Sequence, residues 1–206
     1  MNKKFRLFGT ASLATCIPGI ALAAMLANAL TDLNIRSGPG PEYPVIGFIR
    51  AQDAVTMIGC IEGSLWCQVT HKGKEGWAYS QYLSTESAGN RVIISERRPG
   101  IAIPTVTYSP ATSGAAVTTD AVTGALVSGP VVVGGTAVVP PEQVQTYVTS
   151  NPVDPVYLEG EVVVGAGLPE TVQLRPVPDY NYRYVYVNRQ PVLVDPASRR
   201  IVYIYR

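Results

Sequence analysis

Cys60, Trp66, Cys67, His71 and Trp77 are the residues best equipped for chemistry. In this 206-residue chain they include the only histidine, both tryptophans and two of the three cysteines. A hydrolase of the Ser-His-Asp or Cys-His kind would have to use His71. His71-Lys72-Gly73-Lys74-Glu75-Gly76 reads as a polar hairpin turn, where a histidine is solvated, and Cys67 is its nearest nucleophile. Zinc needs several nitrogen or sulfur ligands, and one histidine beside a bridged cysteine pair does not supply them. No phosphate-cradling glycine loop precedes a helix. Glu159, Glu161, Glu170 and Asp179 fall on strand or loop segments where solvation is the default. The sequence therefore predicts no catalytic residue, no metal and no cofactor, and a protein that is not an enzyme.

The start of the chain sets the redox context. Met1 to Ala29 reads as a secretory signal peptide: Lys3, Lys4 and Arg6 supply the charged start, an apolar run begins at Leu7, and Ala27 and Ala29 flank Asn28 as a cleavage pattern. The mature chain is then expected to begin near Leu30. Cys16 as a lipid-acylation site is the weaker alternative, because Thr15 is bulkier than such sites prefer and the apolar sequence continues to Leu26. No comparable apolar run recurs, so no transmembrane segment is expected in the mature chain. The expected location is periplasmic or secreted. Removing Lys3, Lys4 and Arg6 from 16 basic residues leaves 13 against 15 acidic ones, a formal charge of −2. Nucleic acid and strongly anionic membranes are disfavoured as partners.

In an exported protein Cys60 and Cys67 form an even pair, for which a disulfide is the default. A hairpin centred on Gly63-Ser64 puts them directly opposite each other, within reach of a bond. The alternative, a redox-active pair, lacks the two-residue spacing of thiol oxidoreductases.

From Leu33 to Leu83 the sequence alternates short β-rich runs with turn residues. Leu33 and Ile35 point inward, Gly38-Pro39-Gly40 forces a loop, and runs follow at Val45 to Ile49, Ala54 to Cys60, Leu65 to Thr70 and Gly76 to Tyr79. That pattern predicts a five-stranded barrel. The segments Leu33-Asn34-Ile35-Arg36-Ser37-Gly38-Pro39-Gly40, Tyr43-Pro44-Val45-Ile46-Gly47, Trp66-Cys67-Gln68-Val69, Gly76-Trp77-Ala78 and Tyr82-Leu83 resemble a bacterial SH3-like domain of the cell envelope. The resemblance implies a non-catalytic binding module for peptidoglycan or its peptides. It also implies a groove of rings beside the first loop, and this points to Tyr43, Trp66, Tyr79 and Tyr82 as ligand-binding candidates. Trp77 is expected in the barrel core. Strand alternation sends Trp66 and Cys67 to opposite faces.

Residues 86–139 are rich in Ala, Thr, Val, Gly and Pro and read as a linker, with a strand-like echo at Val131-Val132-Val133. Residues 140–206 read as a second, β-rich (α+β) module. Pro140-Pro141-Glu142 opens a helix whose apolar stripe is Val144, Tyr147 and Val148. Runs at Tyr182 to Val187, Pro191 to Val194 and Arg200 to Tyr205 predict a three-stranded meander with turns at Asn188-Arg189 and Asp195-Pro196-Ala197-Ser198. Glu161-Val162-Val163-Val164-Gly165, Leu168-Pro169-Glu170-Thr171-Val172, Val177-Pro178-Asp179-Tyr180 and Val192-Leu193-Val194-Asp195-Pro196 resemble an uncharacterised domain appended to SH3-like domains in Gram-negative envelope proteins.

Pairing Val187 with Gln190 and Val194 with Arg200 sorts the meander into two faces. One is aliphatic and is expected beneath the helix. The other collects Tyr182, Tyr184, Tyr186, Tyr203 and Tyr205. It is either packed under another segment or an exposed aromatic platform for glycan or a protein. The whole chain is thus expected to be mainly β, with an N-terminal SH3-like β-barrel at 30–85, a low-complexity linker, and a small C-terminal module. Its expected role is a non-enzymatic envelope protein that binds peptidoglycan, a cell-wall peptide or an envelope protein. An accessory module for a separate peptidoglycan enzyme and a structural envelope-stress protein are the alternatives.

Overall fold

The computed structural model describes residues 25–96, 101, 103–109, 124–126 and 138–206. The leader up to residue 24, Cys16 and the run at Val131–Val133 lie outside the described residues. Strands β1 (Met25–Ala29), β2 (Leu33–Arg36), β3 (Val45–Ile49), β4 (Ala54–Cys60), β5 (Trp66–His71), β6 (Lys74–Tyr79), β7 (Leu83–Ser87) and β8 (Asn90–Ile93) form one sheet, in the order β3-β2-β6-β5-β4-β1-β7-β8. Strands β9 (Arg175–Pro176), β10 (Arg183–Val187), β11 (Gln190–Asp195) and β12 (Arg200–Ile204) form a second, in the order β12-β11-β10-β9. One α-helix, α1 (Glu142–Ser150), packs on that second sheet.

Strands β2 to β6 fall within two residues of the expected runs. β1 does not follow the expectation. It lies between β4 and β7, pairing Ala27 with Val55 and Ala29 with Leu83, and Ala27 and Ala29 are fully buried. The small-residue pair that reads as a cleavage pattern is therefore structural: alanine fits where a larger side chain would overpack the barrel. Upstream of Met25 the neighbouring edge of β4 is already taken. The Cys60 N–H donates to the Pro104 carbonyl (2.8 Å), and the Val106 N–H donates to the Cys60 carbonyl (3.0 Å).

The same contacts correct the linker boundary. β7 and β8 run into the segment expected to be linker, and Ile103, Val106 and Tyr108 pack on the barrel core. Nor are the two modules separate bodies. A single buried cluster runs from Leu33, Ile35, Met57 and Leu83 to Leu158, Val162, Val192 and Ile201. A barrel of this size buries a smaller fraction of its surface alone than a larger domain does, so apolar residues on its flank gain from a second layer.

Cys60 and Cys67 face each other in the expected register and are bonded, with a Cα–Cα distance of 4.0 Å. The turn is centred one position earlier than expected. Ser64 N–H donates to the Ile61 carbonyl (3.2 Å), and Gly63 sits third with φ +73°, a conformation glycine adopts without penalty.

In the second sheet Val187 pairs with Gln190 as expected, across a turn in which Asn188 and Arg189 both have positive φ (50° and 67°). The next pairing departs from expectation. A bulge after Leu193 sets Val194 against Ile201 instead of Arg200. The extra residue sends Ile201 to the aliphatic side and Val202 to the tyrosine side. The aliphatic side (Val185, Val187, Val192, Val194) joins the shared core, and α1 covers the tyrosine side instead. Hydrogen bonding explains the exchange. The last carbonyls of a helix lack intrahelical partners, and here Tyr186 Oη donates to Val148 (3.2 Å) while Tyr184 Oη donates to Asn151 (2.9 Å).

N-terminal sequencing of exported protein is expected to show a chain starting at or before Met25, for which Ala21-Leu22-Ala23 provides a small-residue cleavage pattern. A chain expressed from Leu30 is expected not to fold, since β4 and β7 would lose the strand between them. Oxidised protein is expected to gain two hydrogens in mass on reduction, and replacing both cysteines by serine to lower stability by about 2 kcal/mol or less, because the closed loop is short.

Candidate functional site

β2 carries four consecutive buried residues, which a strand with one solvated face would not show. Leu33 and Ile35 point into the barrel core, and by alternation Asn34 and Arg36 point the other way. Arg36 there meets Glu161. Its Nε and Nη2 donate to the two carboxylate oxygens at 2.7 Å each, a bidentate pair with both side chains at most 1% exposed. Its remaining nitrogen, Nη1, donates to the carbonyls of Pro41 (3.0 Å) and Tyr43 (2.8 Å) and so shapes the Gly-Pro-Gly loop. Asn34 Nδ2 donates to Glu161 (2.9 Å) and to Gln190 Oε1 of β11 (2.9 Å). Glu161 also accepts from the Val162 N–H (2.8 Å). The barrel and the C-terminal module are thus joined through a buried polar network.

A second clamp lies beside it. The Asn188 side chain accepts from Leu158 N–H (2.9 Å) and donates to the carbonyls of Leu158 (3.0 Å) and Gly160 (3.3 Å). It fixes the 157–161 segment as an extended strip across the barrel. Gly160, with φ +103°, passes next to the Tyr79 hydroxyl.

Three of the four ring residues expected to bind ligand, Trp66, Tyr79 and Tyr82, form one row, and Tyr43 belongs to a second set of rings. Trp66 contacts Tyr79 edge-on at 5.2 Å, and Tyr79 lies 6.2 Å from Tyr82. Tyr43 contacts Tyr108 at 5.7 Å, and Tyr108 in turn contacts Trp77 at 5.4 Å. The row is covered, however. Trp66, Tyr79 and Tyr82 are at most 5% exposed, and only Tyr43 remains half-exposed. The 157–161 strip lies over this row, where the Trp66 indole N–H bonds the Glu159 carboxylate, and Tyr108 packs separately on Tyr43 and Trp77. Burial, with the Glu159 charge next to it, pushes the Tyr79 phenol up to about 12. Burial and then the Glu42 charge raise the Glu159 carboxyl. The correction is physical: an aromatic row that would be a groove on an isolated barrel is here the seat of the chain's own C-terminal module.

The tyrosine platform is corrected in the same way. Tyr184 is buried under α1 with Tyr147 against it at 6.2 Å, and Tyr182, Tyr186, Tyr203 and Tyr205 are half-buried. His71, expected as a solvated turn residue, ends β5 and is buried. Its Nδ1 lies 3.1 Å from the Ala54 carbonyl and its Nε2 3.3 Å from Asp53. The Lys72 ammonium beside Asp53 holds that carboxyl below its ordinary range. Cys67 is committed to its disulfide.

Among the described residues, an apolar strip stays open along one edge of the barrel. β3 ends the sheet, and Val45, Ile46 and Phe48 are each more than a third exposed, with Tyr43 just before them. Lys74 Nζ reaches across to the Ile46 carbonyl, and the Arg206 guanidinium lies over the Phe48 ring at 5.1 Å. Sequence reading missed this strip, although Val45-Ile46-Gly47-Phe48-Ile49 is too uniformly apolar for simple alternation. It also missed Asn34, Arg36, Glu161 and Gln190, whose pairing spans 125 residues for Arg36 and Glu161 and leaves no local pattern.

A β-barrel with a disulfide-pinned hairpin shares one buried core with a small β-rich cap. Residues 31–84 match the family model of the bacterial SH3 domain, and residues 147–206 match that of a domain of unknown function, DUF1236. No curated protein is similar to the chain. Among the described residues no helix is long and apolar enough to cross a membrane.

Glu161→Ala is expected to destabilise the whole protein by about 3–5 kcal/mol, because Arg36 is left charged, buried and unpaired. The joint change Arg36→Met with Glu161→Leu is expected to recover most of that loss. Urea unfolding of the variants, followed by Trp fluorescence, measures both.

Proposed function

We propose that the protein is a non-enzymatic, exported binding protein of the cell envelope, and that its barrel holds an extended peptide, from the wall or from an envelope protein, along β3. The observation that carries this reading is the exposed apolar edge Val45, Ile46 and Phe48 on a bacterial SH3 domain. An edge strand offers unpaired backbone groups to an incoming strand, and alternate side chains of the strip supply the apolar contacts. Native proteins blunt such edges, and the guards here are Lys74 and Arg206, flexible side chains that an incoming strand can displace. The disulfide supports an oxidising compartment outside the cytoplasm.

This role differs from the ring groove expected at Tyr43, Trp66, Tyr79 and Tyr82, of which Tyr43 alone borders the open strip. Sedimentation of purified exported protein with peptidoglycan sacculi tests the reading. The wild type is expected to sediment, and Ile46→Asp with Phe48→Asp to abolish sedimentation while leaving the melting temperature nearly unchanged, since both side chains lie at the surface. Equal sedimentation of the double variant would exclude β3, and release of soluble wall fragments by the protein alone would move it into the enzyme class.

A further inference from the structure

The outer end of the tyrosine face opens into a groove between α1 and β12. Its volume is about 370 Å³, within the range of small-molecule sites. Its walls are Glu142, Gln145, Thr146 and Thr149 of the helix, with Tyr203, Tyr205 and Arg206 facing them. No aliphatic side chain contributes. The two phenol rings meet edge-to-face at 5.1 Å, so the groove has aromatic surface together with amide and hydroxyl groups.

The charges within it disfavour ions. Arg206 is already paired with Asp32 at 3.0 Å, and the Glu142 carboxylate stands in the same wall, so an anion meets a committed cation beside a like charge. Thr149 Oγ1 donates back to the Gln145 carbonyl at 2.9 Å, which leaves its lone pairs as acceptors. The Tyr205 hydroxyl lies beneath this surface beside Tyr203, Tyr180 and Tyr186, where burial raises its titration above the ordinary phenol range, so Tyr205 offers the groove its ring and not its oxygen.

The geometry points to this groove as a binding site for one neutral, hydroxyl-rich sugar ring. Such a ring combines apolar C–H faces that pack on aromatic rings with hydroxyls that need both donors and acceptors, which is the chemistry these walls present. The identity of the sugar rests on the envelope reading above: amino-sugar glycan is the carbohydrate of the wall. The site then places glycan contact on the C-terminal module and peptide contact on β3.

The test is a titration of the exported protein with the β-1,4-linked trimer of N-acetylglucosamine, followed by backbone amide NMR. Saturable shifts at Gln145, Thr146, Thr149 and Tyr205 are expected at millimolar trimer. Thr149→Arg fills the groove from an exposed helix position that arginine suits better than threonine, and is expected to weaken binding about tenfold or more. Absence of saturable shifts in the wild type, or unchanged affinity in Thr149→Arg, overturns the site. Sacculus sedimentation separates this from the envelope reading. Sedimentation without trimer binding leaves that reading standing and sinks the groove, whereas trimer binding without sedimentation does the reverse.

Discussion

Arg36 and Glu161 lie 125 residues apart in sequence and meet with almost no access to water. Taking two charges out of water costs more than their attraction returns unless every remaining donor and lone pair is also bonded. The structure meets that condition closely: Arg36 adds the Pro41 and Tyr43 carbonyls, and Glu161 adds Asn34 and the Val162 N–H. The pair contributes geometry more than net stability. A misplaced C-terminal module would leave a buried guanidinium unpaired, so the network selects one docking of the cap on the barrel and disfavours the rest. Tight placement of Asn188, the 157–161 strip and the covered ring row depends on that selection.

This dependence explains why the ring row is not a groove. A barrel with aromatic residues beside its first loop has an apolar flank that needs cover, and the cap supplies it from the same chain. Among the described residues of the barrel, the apolar strip of β3 lies beyond the reach of the cap.

Much of the barrel was legible because its signals are local. Alternation at Leu33 and Ile35, the Gly-Pro-Gly loop, and the spacing of Cys60 from Cys67 each specify a strand, a loop or a register without reference to distant residues. The Asn188-Arg189 turn was legible for the same reason, since asparagine tolerates the left-handed conformation that a two-residue hairpin needs. The failures share the opposite property. Ala27 and Ala29 look alike whether they precede a peptidase cut or pack inside a barrel, and only the pairing with Val55 and Leu83 distinguishes the two. The bulge after Leu193 moves Ile201 and Val202 across the sheet, which no alternation rule anticipates. Trp66, Tyr79 and Tyr82 lie together and Tyr43 apart from them, and exposure is a property of what covers the rings, of which Glu159 to Glu161 gave no sign in sequence.

The insertion of β1 between β4 and β7 has a consequence for how the chain is delivered. Ribosomes and translocation channels release a polypeptide from its N-terminal side, yet the strand that emerges early is held by partners made some thirty to fifty-five residues later, and Arg36 must wait for Glu161. Contacts so far apart in sequence form slowly, because the loop must close before the contact rewards it. For the interval between those events the barrel carries an uncovered charge and an unprotected apolar flank. Chaperones and proteases therefore meet it as a half-finished object, and an interrupted chain is recognisable as incomplete by chemistry alone.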